Sequence, residues 1–204
     1  MSAFAAGDWI RILSRLNSTL RISSQVERPS AEAAPSSRWN GLPGATESQI
    51  QEAEQRLHIQ LPPSYRSFLL ISNGWRQFDE FIERLLPAQE IARFESVDPQ
   101  KLARLQRYGQ GLNDTDDDYL DYDNEKNIEL IRPSYYGKSI LVGKAWGAES
   151  DMVLLNPQIV FPNGEWETIF FANWIPGNRR YRSFRDFVVS RIESEIEFEE
   201  PEPE

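Results

Sequence analysis

The chain has 204 residues, of which 40 % are hydrophobic and 26 % charged, with six Trp, seven Tyr, eleven Phe and a formal net charge of −10. That length suits one domain with extensions or two small ones, and the aromatic side chains suffice for a sizeable core. The absence of cysteine excludes disulfides, thiolate metal sites and a Cys nucleophile, and the acidic balance opposes general binding to phosphate backbones.

Residues 1–22 read as an N-terminal amphipathic segment, helical from 8 to 22. Asp8 suits the N-cap, and Trp9, Leu13, Leu16 and Leu20 recur at helical spacing, opposite Arg11, Arg15, Asn17 and Ser18. Such a helix docks on its own domain or serves a partner or a membrane surface. Residues 23–38, rich in Ser, Ala and Pro, predict a flexible linker. Met1–Asp8 lacks the basic and apolar regions of a signal peptide, and no apolar run reaches the ~20 residues that span a bilayer. A soluble cytoplasmic protein that binds neither nucleic acid nor membrane is expected.

The dense region runs from 39 to 192. Thr46 and Gln49 form a capping-box pattern before Ile50, Ala53 and Leu57. Pro62-Pro63 restarts the chain as a second helix with Tyr65, Phe68 and Leu69 on its apolar stripe; Asn73-Gly74 suits a left-handed stop. A third helical stretch, interrupted at Pro99, is predicted from Ala88 to Tyr108. Residues 112–127 then read as a polar, acidic loop. Ser139–Val142, Met152–Leu155 and Thr168–Phe171 are short strand-like runs, and Asn163-Gly164 predicts a hairpin between Ile159–Phe161 and Trp166–Phe171. Ser183, with Asp186 at the capping-box position, opens a last helix buried through Phe184, Phe187, Val188 and Ile192. Residues 193–204 are almost all Glu with two Pro and are expected to fray into solvent. The pattern is α+β: a central, mostly antiparallel sheet flanked by helices. Leu61, Tyr65, Phe68 and Phe187 are expected in its core.

The motifs that could carry chemistry are weak. The single histidine, His58, sits at a helix end without the orienting carboxylate and nucleophile that base catalysis needs, and there it suits the helix dipole. Gly109-Gln110-Gly111 follows a helix rather than a strand, unlike a phosphate-binding loop. Asp114, Asp116, Asp118 and Glu125 fall on ligand positions of a calcium-binding helix-loop-helix, but Tyr119 stands where the sharp turn needs Gly. A solvated acidic segment fits better, with loose calcium binding as the alternative. No cofactor and no catalytic residue is expected.

The stretch Trp39–Gly74 is more specific as an ordered set. Ile50, Glu54, Leu57, Leu61-Pro62, Tyr65, Phe68-Leu69 and Asn73-Gly74 closely resemble the opening of the SUKH superfamily, the Smi/Knr type. Leu86-Pro87, Glu90-Ile91, Asp151–Asn156, Gly164-Glu165-Trp166 and Ser183-Phe184 with Phe187 resemble its later segments. The N-terminal helix, the linker, the Glu-rich tail and parts of 95–135 fall outside the pattern. The resemblance implies a non-enzymatic module: in bacterial members an immunity protein against a polymorphic toxin, often a nuclease or deaminase, and in fungal members a scaffold in cell-wall signalling. A basic toxin domain is the expected partner and a Smi/Knr-type scaffold role the alternative. The candidate face is the acidic segment, Asp114, Asp116, Asp117, Asp118, Asp121, Asp123 and Glu125, with Tyr119, Leu120 and Tyr122 interleaved as apolar anchors.

Overall fold

The computed structural model describes residues 6–23, 39–79, 81–110, 115–145, 151–172 and 177–197. Helix α1 is Ala6–Ser23, α2 Glu47–Leu57 and α3 Pro63–Ile71; strands β1 (Trp75–Arg76), β2 (Ile82–Leu85) and β3 (Ala92–Arg93) follow. Then come α4 (Phe94–Val97), α5 (Pro99–Tyr108), α6 (Asp116–Leu120), a single 3-10 turn at Asn127–Glu129, and α7 (Pro133–Tyr136). Strands β4 (Ile140–Ala145), β5 (Met152–Val160), β6 (Trp166–Phe171) and β7 (Asn178–Tyr181) precede α8 (Phe184–Glu197). The α+β class expected from the sequence is the one observed.

The strands form one antiparallel sheet in the order β1-β2-β4-β5-β6-β7, with β3 also pairing β4. Successive β6 residues point to opposite faces. Phe170 meets Phe187 of α8, whereas Phe171 meets Tyr136 of α7. One face of the sheet is therefore covered by α8, with α3 and α1 stacked on it, and the other by α5, α7 and the acidic segment. All six β6 residues are buried, as a strand covered on both faces requires. Leu61, Tyr65, Phe68 and Phe187 are buried as expected.

Local signals account for several boundaries. Thr46 and Gln49 make the reciprocal capping box, and Pro63 opens α3 at its first position. Helix α3 ends at Ile71, and Ser72 is extended rather than left-handed. Gly74 takes φ +98, and a Cβ there would meet the Leu85 carbonyl oxygen at 2.9 Å. The Asn73 Oδ1 accepts from the Ala88 backbone N–H at 2.8 Å, so this pair ties a turn instead of capping a helix.

Three expectations need correction. The helical stretch predicted from Ala88 begins only at Phe94, because Ala92 and Arg93 pair with Leu141 and Ile140; its interruption at Pro99, which starts a new helix, and its end at Tyr108 are as expected. The acidic stretch is not all loop: Thr115 accepts from the Asp118 N–H and caps the short helix α6. Helix α8 continues to Glu197, past the predicted start of the tail at 193. The N-terminal helix docks on its own domain, the first of the roles expected for it. Trp9, Leu13 and Leu16 of α1 are buried in the same apolar cluster as the rest of the fold. The Trp9 ring lies 5.5 Å from Phe68 and 6.0 Å from Phe184, and its indole N–H donates to Ser67 at 3.0 Å. Of the predicted linker, Ser23 belongs to α1; residues 24–38 and 198–204 lie outside the described residues.

Candidate protein-binding face

The acidic segment lies across the β5–β7 end of the sheet. Asp116, Asp117, Asp118, Asp121, Asp123 and Glu125 are all exposed; Asp114 lies outside the described residues. The acids divide into two groups. Asp116 pairs with Arg132 and Asp123 with Arg182, so these two fasten the segment near its ends. Asp117, Asp118, Asp121 and Glu125 form no salt bridge among the described residues. Asp118 accepts from the Thr115 hydroxyl, and Asp121 from the Asn127 side chain. Screened single ion pairs of this kind contribute roughly 0–1 kcal/mol each, so they orient more than they stabilise.

The two tyrosines are not equivalent. Tyr119, expected as an exposed anchor, is fully buried, because its ring lies against the Arg180 guanidinium at 3.6 Å and its hydroxyl donates to Glu167 at 3.2 Å. Its side chain is an internal support and not a surface contact. Tyr122 is half-buried; its hydroxyl donates to Glu167 at 2.6 Å and its ring packs edge-on against Phe161 at 5.3 Å. Burial, and then the nearby Glu167 charge, hold both phenols well above the ordinary tyrosine range. The apolar surface beside the acids comes from the expected Leu120, 50 % exposed, and from Val160, 57 % exposed, with Phe161 between buried and exposed.

Beneath this surface is a polar hub that the sequence reading missed. Glu167 and Arg180 have fully buried side chains and pair at 2.9 Å. Glu167 also accepts from the Asn156 amide at 2.7 Å. Buried charges persist only when paired and hydrogen-bonded, and here each strand contributes one member: Asn156 from β5, Glu167 from β6, Arg180 from β7. A single Glu inside the apolar run Trp166–Phe171 was the available signal. An acid there must find a cation or donors inside the fold.

Two cavities flank these elements. One, of about 510 Å³, is lined by Gln106, Asp116, Ile131, Arg132, Pro133 and Tyr135, next to the acidic segment. The other, of about 360 Å³, lies between α4–α5 and β2–β4 and is lined in part by Phe94, Asp98, Lys101, Lys144 and Asp151. In it the Lys101 ammonium sits 5.3 Å from the Phe171 ring centre and 5.9 Å from that of Phe94, and burial lowers its pKa to about 8. Among the described residues no group of three or more His, Cys, Asp or Glu is arranged to hold a metal ion, and no helix is long and apolar enough to cross a membrane.

A comparison with known families places the sequence. No curated protein matches the chain. Residues 44–190, well over half of the chain, match the family described as the SMI1 / KNR4 family (SUKH-1), and the chain belongs to that family.

Proposed function

We propose that this protein neutralises a basic toxin domain, of nuclease or deaminase type, by covering its active surface with the acidic segment. The observation that supports this is the display of Asp117, Asp118, Asp121 and Glu125 around the exposed Leu120, on a segment fastened to a rigid sheet. Enzymes that hold phosphate carry positive sites, so an acidic inhibitor is drawn in by long-range attraction and then retained by apolar contact. The absence of cysteine suits a cytoplasmic setting, where such a toxin would act. Binding, rather than catalysis, is the activity expected of the chain.

The test is co-expression with the toxin domain encoded beside its gene, followed by kinetics with the purified pair. Rescue of growth and stoichiometric loss of toxin activity support the reading. Neutralising Asp117, Asp118, Asp121 and Glu125 together should lower the on-rate about tenfold at low salt and flatten its salt dependence. Binding without loss of toxin activity would favour the scaffold role. A toxin that remains active and unbound would overturn the proposal.

A further inference from the structure

The stretch 115–130 is attached differently from the rest of the fold. Tyr119 is its one fully buried large side chain among the described residues, and it stands outside the contiguous apolar core. Polar contacts hold the stretch instead. The Arg180 guanidinium donates to the Tyr119 carbonyl oxygen at 2.7 Å and to the Asn127 carbonyl oxygen at 2.5 Å. Those two carbonyls bracket Leu120 to Lys126, the part that carries Asp121, Asp123 and Glu125. The same guanidinium faces the Tyr119 ring at 3.6 Å and the Tyr122 ring at 4.8 Å, and Glu167 accepts both phenol hydroxyls.

We propose that residues 115–130 form a discrete apron that opens independently of the sheet, with Arg180 as the positioning residue that clamps it shut and so fixes the spacing of the partner-facing acids. The partner-facing clause rests on the function proposed above; the clamp does not. The reasoning is geometric. A planar guanidinium presents several donors in a fixed fork, so one side chain reaches two carbonyl oxygens and one carboxylate together. A lysine ammonium keeps the charge but cannot span them. An element held by directional polar contacts and little apolar area lies at the low-stability end of a structure, where opening is local.

Amide hydrogen exchange on the full chain tests the clamp without any partner. In Arg180→Lys, amides of 116–130 should exchange about tenfold faster or more, while those of β4 and of Met152–Leu155 stay within about twofold. Tyr122→Phe, which removes one hydroxyl and leaves the charges in place, should show a smaller rise confined to the same residues. A uniform rise along every strand, or no change in either variant, would overturn the clamp. The second arm is affinity for the toxin domain. If the apron opens and affinity falls, the positioning role holds. If the apron opens and affinity is unchanged although neutralising Asp117, Asp118, Asp121 and Glu125 weakens binding, the positioning role is overturned. If neither change affects binding, the acidic face is not the interface and the function proposed for it fails, taking the positioning clause with it.

Discussion

The Glu165 carboxylate caps the first turn of α3 from 101 positions away, accepting from the Ser64 backbone N–H at 2.8 Å and from the Ser64 hydroxyl at 2.7 Å. It thus joins the β5–β6 hairpin to a helix whose Pro62 N-cap supplies no side-chain acceptor. Burial raises the Glu165 pKa and outweighs the two Ser64 hydrogen bonds, which lower it. Replacing Glu165 by Ala strands both donors and should cost about 3 kcal/mol, while Glu165→Gln keeps one acceptor and should cost about 1 kcal/mol. A raised folded pKa means that the fold binds the proton more tightly than the unfolded chain. The associated stability is complete below ~4.3 and is lost as pH rises through the folded value. Urea denaturation between pH 4 and 7 should show the wild-type advantage over Glu165→Gln shrinking as pH rises; a constant difference would contradict it.

The N-terminal helix supplies a second prediction. Trp9→Ala should cost about 3–5 kcal/mol, as a core truncation does, because Trp9 fills the space between Phe68 and Phe184. Ile10→Ala, one residue along on the exposed side, should cost less than about 0.5 kcal/mol. Similar values for the two would mean that α1 does not contribute to the core in solution.

Lys101 should leave a signature in alkali. Its folded pKa, about 8, lies below the ordinary lysine value, so between the two the unfolded chain binds more protons and stability rises with pH. The buried tyrosines act in the opposite sense above ~10, because their folded pKa values are raised. Thermal melts from pH 7.5 to 10 should show a rising limb in the wild type that flattens in Lys101→Met.

Calcium should bind weakly, if at all. Tyr119 occupies the would-be turn position inside α6, and Asp116, Asp118 and Asp121 are already engaged by Arg132, Thr115 and Asn127. Calorimetry should find no micromolar site, and chelator should leave the melting temperature unchanged. A tight site abolished by Asp118→Ala would refute this.

What the sequence made legible was local. Thr46 with Gln49, Pro63, and Asn163-Gly164 each fix a boundary through neighbours a few residues away, and each lies where expected. Strand β7, Asn178–Tyr181, was not found because its buried residues are Asn178 and Arg180, which imitate a surface strand. What makes them interior is distant: Tyr136 for Asn178, Glu167 and the Tyr119 carbonyl for Arg180. The acidic face was found by charge density, but the orientation of Tyr119 was not, since only the three-dimensional position of Arg180 turns that ring inward. The first residues of the helical stretch expected over 88–108 failed likewise, through pairing with a strand nearly fifty residues later.

The docking of α1 separates two kinds of boundary. The family match begins at residue 44, yet the buried core includes a helix that ends at Ser23. A fragment cut at the family limits would uncover Phe68 and Phe184, creating a sticky groove where the whole chain has a sealed seam. Any domain transplant or truncation series has to carry α1 with it, or it will measure the exposure of that seam rather than the properties of the module.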